Sequence, residues 1–384
     1  MRLRFEMKNV CKINKCNGCM ACTLICPKHC IKVIDSLNAM NAEIDESVCI
    51  NCRLCEKVCP NVTKAETKTQ IEWKQGWAED RIRKKSTSGG VASAIIESFI
   101  QSGGYVASCL FKGGEFVFEL TNDLDTAKKF AGSKYVKSNP KDIYREIQVR
   151  LKANRVLFIG LPCQVAALNN FVQNKENLYT IDLICHGTPS LKLLDQYLNE
   201  RGFELRKLEN VKFRTKTDMG LSVDEKKINR PRVMDDYLCA FLESIDYTEN
   251  CYSCQFASLE RVSDVTLGDS WGTEYKSEEK KGISLILIQS QKGKKLIDQS
   301  ELELKEVNRD KAIAHNHQLS HPSILSPKRD KFMNLIKEGE SFRKATFAVL
   351  PKMVIKQKIK FILIKLHFVY SNNSGLTLKR NNKR

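Results

Sequence analysis

Two stretches decide the reading: CNGCMACTLICP at Cys16–Pro27 and CINCRLCEKVCP at Cys49–Pro60. Both have the form C-x2-C-x2-C-x3-C-P. The two-residue gaps wrap a tight loop, so three thiolates can reach three irons of one cube. The fourth Cys starts a short helix directed at a second cube, and Pro27 and Pro60 turn the chain away after it. The pattern therefore calls for two [4Fe–4S] clusters with crossed ligation. One takes Cys16, Cys19, Cys22 and Cys59; the other takes Cys49, Cys52, Cys55 and Cys26. Structural zinc usually uses two widely separated Cys pairs per ion, and runs of three close Cys plus one do not suit it.

This arrangement resembles the bacterial two-cluster ferredoxins, and it marks the chain as one that moves electrons. Ten of the 16 Cys lie before Val62, in a chain of 384 residues. Cys11 and Cys30 fall outside the two runs and read as plain buried thiols. So many Cys in a large chain point to metal or redox chemistry rather than disulfides, and to a reducing, cytoplasmic setting. The first ten residues lack the apolar core of a secretory signal. No apolar run is long enough to span a bilayer.

The formal charge of +18 raises nucleic acid or an anionic membrane as partners. No reader motif for nucleic acid is present, and cluster-bound thiolates would offset part of the charge, so no nucleic-acid partner is expected. Much of the excess lies in scattered Lys and in the C-terminal tail. There Lys352, Lys356, Lys358, Lys360 and Lys365 alternate with apolar residues. As a helix this segment could touch an anionic membrane peripherally.

Outward from the cysteine runs, residues 1–62 form the ferredoxin-like domain. Residues 63–76 read as a polar linker or connecting helix, 77–345 as a larger mixed α/β domain, and 346–384 as a basic tail whose final residues look disordered. In the α/β part, helices are expected over Val91–Ile100, Lys141–Lys152 and Leu191–Glu200. Strands are expected over Gly104–Phe111, Glu115–Leu120, Arg155–Gly160, Tyr179–Cys185, Val262–Leu267 and Ile283–Gln289. Cys109 and Cys239 lie in apolar runs and read as core. Strands alternating with helices argue for a mixed or parallel sheet covered by helices, giving an α+β or α/β class overall.

Four further motifs stand in this part. They are Ser86-Thr87-Ser88-Gly89-Gly90; Gly160-Leu161-Pro162-Cys163-Gln164; Asp182-Leu183-Ile184-Cys185-His186-Gly187; and Cys251-x2-Cys254 followed by Ser263-Asp264 and Leu267-Gly268-Asp269-Ser270-Trp271-Gly272. In this order, behind a ferredoxin-like domain, they resemble the beta-subunit family of the coenzyme F-420 (deazaflavin) hydrogenases and dehydrogenases, which also includes chlorophyll-cycle reductases. The resemblance runs from about Cys16 to Phe332. It implies an iron–sulfur flavoprotein oxidoreductase with FAD, exchanging two electrons with a small organic substrate, a deazaflavin or a sugar intermediate. The alternative it leaves open is an electron-transfer subunit that docks to a separate catalytic partner, with a redox protein as donor or acceptor.

Cys163 and Cys185 each follow an expected strand, at the sheet end where α/β folds bind ligands. With Cys251 and Cys254 they could close a third [4Fe–4S] site, and the resemblance supports carrying ligation onto these four. Buried thiols plus a small zinc knuckle is the other reading. Ser88, Gly89 and Gly90 open a helix whose N–H groups could receive a phosphate or ring edge. Ser133, Lys134 and Tyr135 could offer hydroxyls and a charge to FAD, and Asp269 could line the same site. His186, next to Cys185, is the candidate proton donor. Neither a Rossmann fingerprint nor a P-loop is present.

Overall fold

A computed structural model describes residues 8–215, 218–229, 232–366, 368–372 and 375–378. The first seven residues and the last six lie outside it. The cysteine-rich part forms two short helices, α1 (Ala21–Ile25) and α2 (Leu54–Val58), and a hairpin of β1 (Ile31–Asp35) and β2 (Met40–Ile44). Next come β3 (Glu72–Ala78), α3 (Asp80–Arg83), α4 (Val91–Gln101), β4 (Tyr105–Lys112), β5 (Glu115–Thr121), α5 (Leu124–Lys128), α6 (Ile143–Arg150), β6 (Val156–Gly160), α7 (Pro162–Phe171), β7 (Leu178–Leu183) and α8 (Leu191–Asn199). A small antiparallel sheet of β8 (Val211–Arg214), β9 (Met219–Val223) and β10 (Lys226–Lys227) is followed by α9 (Asp236–Leu242), β11 (Val265–Asp269), α10 (Lys276–Glu279), β12 (Ser284–Ile288), α11 (Gln291–Asp298) and β13 (Leu302–Glu306). Four helices follow: α12 (Arg309–His315), α13 (Pro327–Lys337), α14 (Phe342–Val349) and α15 (Pro351–Lys365).

The large sheet has the order β13-β3-β12-β11-β7-β6-β4-β5. Its centre, β11-β7-β6-β4, is parallel, and antiparallel strands flank it on both sides. This is the mixed sheet expected from the sequence. Strand β6 is buried along its whole length, which explains its unbroken apolar run. The helix over 191–199 and the hairpin around Gly113 and Gly114 fall where periodicity puts them.

The expected polar linker is where sequence and structure differ. Strand β3 begins inside it, at Glu72, and runs between β12 and β13. Its polar side chains conceal it because their needs are met inside. Gln75 is fully buried, accepts from Ser270 Oγ (2.7 Å) and Thr273 Oγ1 (2.8 Å), and donates to Glu306 O (2.8 Å).

The cysteine-rich part is packed on the α/β part rather than tethered to it. Cys19, Ala21, Leu24 and Val58 share one apolar core with Val165, Ala166 and Phe171 of α7 and with Val262. Polar ties rim this contact. Lys137 donates to Asn17 O (3.2 Å), Asn250 to Asn17 Oδ1 (3.1 Å), Gln255 to Pro60 O (2.7 Å) and Arg145 to Leu24 O. Buried Arg329 donates to Asn38 O (2.9 Å) from the far side of the hairpin.

Candidate functional site

The two runs adopt the same local conformation. Gly18 and Asn51 are left-handed, with φ of 68° and 54°, and so are Met20 and Arg53, with φ of 61° and 57°. Each run also points a backbone N–H at its first sulfur: Gly18 N to Cys16 Sγ and Asn51 N to Cys49 Sγ, both at 3.4 Å. Such N–H groups favour sulfur in its thiolate form. One void is lined by Cys16, Cys19, Cys22 and Cys59, with Val10, Cys11, Met20 and Ala42 around them. A second is lined by Cys26, Cys49, Cys52 and Cys55, with Cys30, Ile31, Ile44 and Leu54. The crossed grouping of the fourth cysteines is thus present in the fold.

Cys163 lies in the first turn of α7, Cys185 just past β7, and Cys251 and Cys254 at a 3-10 turn over Glu249–Ser253. All four line a third void, shared with Asn17, Lys137, Thr188, Asn250 and Arg261. The parallel strands bring them together, because β6 and β7 end at one edge of the sheet. Lys137 and buried Arg261 supply positive charge beside the four sulfurs; Arg261 is itself fixed by Asp182 at 2.8 Å. Among the described residues no three His, Cys, Asp or Glu side chains converge on a point suited to a single metal ion.

Beyond this void, at the same sheet edge, lies a cavity of about 570 Å³, within the range of cofactor sites. Ser88, Gly90, Ser133, Lys134, Tyr135, Asp269 and His186 all line it. Gly89 does not. A side chain there would strike Gly76 O and Ser284 N, so Gly89 serves the approach of the loop to β3 and β12. Gly90 caps α4 in a left-handed conformation (φ 86°), and the N-terminus of α4 faces the cavity. Cys109, expected in the core, is half-buried and lines the cavity; Cys239 is core, in α9.

Sequence reasoning misses Arg214. It comes from β8, donates to Asp269 Oδ2 (2.8 Å), Tyr135 Oη (3.2 Å) and Thr87 O (2.8 Å), and leaves Nε buried without a partner among the described residues. No local pattern marks it, since its neighbours in space come from three other segments. Gln164 follows Cys163 in its motif and has a separate task. Its Oε1 accepts from Leu161 N (2.9 Å) and its Nε2 donates to Ser138 Oγ (2.9 Å), which fixes the start of α7. Tyr135 stacks on Phe241 at 4.4 Å between centroids, and half-exposed Trp271 stands among the cavity lining.

Burial pushes the Lys134 ammonium down to about 8. Burial, helped by His317, pushes His186 down to about 4, so its imidazole is neutral near pH 7. Gln318 Nε2 lies 2.7 Å from both His186 Nδ1 and His317 Nε2 and holds the ring in place. The first void, the third void and the cavity form a series. Asn17 lines both the first and third voids; Ser138, Leu161, Gln164 and His186 line both the third void and the cavity.

Comparison with known proteins finds two domain matches. Residues 15–62 match the family described as 4Fe-4S dicluster domain. Residues 153–310 match the family described as the C terminus of the coenzyme F420 hydrogenase/dehydrogenase beta subunit. An uncharacterized protein of Methanocaldococcus jannaschii is 24% identical over 344 residues, covering 76% of this chain and 89% of its own length. An uncharacterized protein in the rpl9-rpl11 intergenic region, from Porphyra purpurea, is 35% identical over 57 residues, covering 14% of this chain and 76% of its own length. Among solved structures, a chain of the F420-reducing [NiFe] hydrogenase complex from Methanosarcina barkeri aligns with a TM-score of 0.48 and 16% identity, covering 71% of this chain and 96% of that one. The chain therefore carries a 4Fe–4S dicluster domain, followed by a domain similar to the C terminus of the coenzyme F420 hydrogenase/dehydrogenase beta subunit.

Proposed function

We propose that the chain is an electron-transfer subunit, which relays electrons between a redox protein and a flavin site and works with a separate catalytic partner. The single observation that carries this is the run of adjoining sites from the void of Cys16, Cys19, Cys22 and Cys59 through that of Cys163, Cys185, Cys251 and Cys254 to the cavity, each sharing wall residues with the next. In this reading the units are residues 1–62, joined through 63–76 to 77–345, with 346–384 as an appended tail. Cys16, Cys19, Cys22 and Cys59 hold one cluster, Cys49, Cys52, Cys55 and Cys26 another, and Cys163, Cys185, Cys251 and Cys254 a third. The clusters supply one-electron steps and FAD the conversion to two-electron chemistry.

The residues of the large cavity suit a flavin nucleotide. Gly90 and the α4 N-terminus offer backbone N–H groups, Ser133 and Ser88 offer hydroxyls, and Lys134 offers a cation. Arg214, positioned by Asp269 and Tyr135, adds a fixed positive charge to the same wall. His186 presents a neutral imidazole between the third cysteine set and the cavity, placed to hydrogen-bond a bound ring. Gln164 and Leu161 line both compartments. A self-sufficient flavoenzyme acting on a small organic molecule is the second reading. The match of residues 153–310 to a family of beta subunits favours the first.

The tail adds a second surface. Helix α15 presents Ile355, Ile359, Ile362, Leu363 and Leu366 on its solvent face, between Lys356 and Lys360 on one side and Lys358 and Lys365 on the other. That chemistry fits an anionic membrane surface. No helix among the described residues is long and apolar enough to cross a membrane.

Anaerobic purification with iron, sulfide, flavin and zinc analysis tests the relay. It expects about twelve irons by four per cube and one flavin. Stoichiometric zinc with little sulfide would remove the scheme. Reduction of an organic substrate by the isolated chain at a rate no partner increases would favour the second reading.

A further inference from the structure

Cys11 and Cys30 belong to neither cysteine run, yet each borders one of the two N-terminal voids. Cys11 lines the void of Cys16, Cys19, Cys22 and Cys59; Cys30 lines that of Cys26, Cys49, Cys52 and Cys55. Each void therefore has five cysteines where a cluster needs four.

The contacts of the extra sulfurs match. Cys11 stands with Cys16 and Cys59 in the wall of the first void. Cys30 contacts Cys26, at 3.5 Å between sulfurs, and Cys49. The internal repeat makes Cys16 equivalent to Cys49 and Cys59 equivalent to Cys26. Each extra thiol thus shares a void with the first cysteine of one run and the crossed cysteine of the other.

This symmetry does not come from the repeat. The position equivalent to Cys11 in the second run is Ile44, and that equivalent to Cys30 is Thr63. Two unrelated segments deliver a thiol to corresponding places. Both are pinned by backbone bonds: Val10 N donates to Ala42 O (2.9 Å), and Asp45 N donates to Cys30 O (2.8 Å). Simple packing would accept Ala, Val or Ile at such positions.

We propose that Cys11 and Cys30 are redox-tuning thiols, each donating an S–H···S hydrogen bond to ligand sulfurs of its cluster and holding that cluster's reduction potential up. The inference rests on the ligand assignment proposed above. A thiol is a weak donor, and a ligand sulfur gains negative charge when its cluster is reduced. A donor beside that sulfur favours the reduced state, so removing it lowers the potential. The proton stays on the thiol in both oxidation states, and no bond is made or broken.

The test is an EPR-monitored redox titration of the full chain, purified anaerobically, alongside iron and sulfide analysis. The variants are Cys11→Ala, Cys30→Ala, Cys11→Ser, Cys30→Ser and, as a remote buried thiol, Cys239→Ala. Iron and sulfide are expected to stay at the wild-type level in all five. Cys11→Ala should shift one cluster's midpoint downward and Cys30→Ala the other's, each leaving its neighbour's nearly unchanged. The Ser variants, which keep a donor, should recover most of each shift, and Cys239→Ala should shift neither. Wild-type midpoints in both Ala variants with intact clusters would overturn the proposal. So would loss of about four irons in either the Ala or the Ser variant of one position, because the thiol would then be a ligand. A wild-type chain lacking iron and sulfide at these sites would remove the ligand assignment itself, a failure distinct from a null shift in a loaded protein.

Discussion

Arg214 Nη1 donates to Asp269 Oδ2 at 2.8 Å, joining the small sheet to the end of a central strand of the large one. The pair is largely buried, and Arg214 lines a cavity together with Ser88, Ser133, Lys134 and Tyr135. A charged hydrogen bond is worth about 1.5–3 kcal/mol, roughly ten- to a hundredfold in affinity. Arg214→Gln is therefore expected to lower flavin affinity by at least about tenfold, and Asp269→Asn by less, since Asn still accepts from Arg214. Reconstitution with FAD followed by absorbance or calorimetry measures both. Wild-type flavin content in Arg214→Gln would separate Arg214 from the cofactor.

Lys134 gives the same cavity a pH dependence. Its ammonium is pushed down to about 8 by burial, and Nζ donates to Phe130 O and Ala131 O at 2.5 and 3.1 Å. The charge is present below about 8 and lost above it. Affinity for a phosphate-bearing ligand should fall as pH rises through that value, and Lys134→Met should bind weakly with a flat profile. The linkage to folding has the opposite sense. With the folded pKa depressed, the stability from this group is full above the unfolded value of 10.5 and is lost as pH falls toward about 8. Calorimetric FAD titrations from pH 6.5 to 9.5 would show equal slopes in variant and wild type if Lys134 took no part.

Legibility in the sequence follows the range of the contacts. The ferredoxin-like half is written locally, because ligand spacing and the left-handed residues at Gly18, Met20, Asn51 and Arg53 lie within single runs. Cys163 and Cys185 can be placed at one sheet edge because each follows a strand, and parallel strands end together. Arg214 cannot be placed, since its role depends on a separate small sheet reaching Asp269 and Thr87. Strand β3 is hidden for a related reason. Gln75 looks like surface in one dimension and is satisfied by Ser270, Thr273 and Glu306 in three. Gly89 stands out in its motif, but the space it preserves belongs to β3 and β12 rather than to a ligand.

Asp246 is fully buried, and neither carboxylate oxygen has a hydrogen-bond partner among the described residues. Burial raises its pKa well above the usual range despite Arg329 nearby. With the folded value raised, its contribution to stability is full below the unfolded pKa near 3.8 and is lost as pH rises toward the folded value. Asp246→Asn removes the charge that would otherwise have to be accommodated. The variant should gain stability relative to wild type as pH goes from 5 to 8. Thermal unfolding under anaerobic conditions at several pH values reads this out, and parallel curves would rule it out.

The third cysteine set tests the order of the relay. Cys254→Ser should bring iron from about twelve to about eight per chain by four per cube, leaving the first two sites loaded. Dithionite should still reduce those two, while flavin reduction through them slows. Cys16→Ser should instead impair entry of electrons into the chain. Stopped-flow absorbance follows each phase. Flavin reduction at the wild-type rate in Cys254→Ser would take Cys163, Cys185, Cys251 and Cys254 off the route.

Helix α15 carries the last expectation. Residues 355, 359, 362, 363 and 366 recur at helical spacing, and all five are apolar and exposed, from 37% at Leu363 to 57% at Leu366. The inward face holds Val354 and Gln357. The helix has five Lys from Lys352 to Lys365 and no acidic residue. Isolated exposed apolar side chains are ordinary, but an outward stripe bordered by Lys on both sides is not. Each Lys near an anionic surface contributes about 1 kcal/mol, and the Ile and Leu side chains add apolar burial in the headgroup region. The full chain is therefore expected to float with vesicles containing phosphatidylserine and to stay behind with purely zwitterionic ones. Ile359→Asp, which leaves the buried face untouched, should weaken flotation strongly, and a chain ending at Leu350 should abolish it. Raised salt should weaken binding in the full chain, because the Lys contribution is screened. If Ile359→Asp and the truncated chain float as the wild type does, the stripe does not meet a membrane. A stripe that instead binds a protein partner would show itself as partner binding lost in Ile359→Asp, with no lipid dependence in any variant.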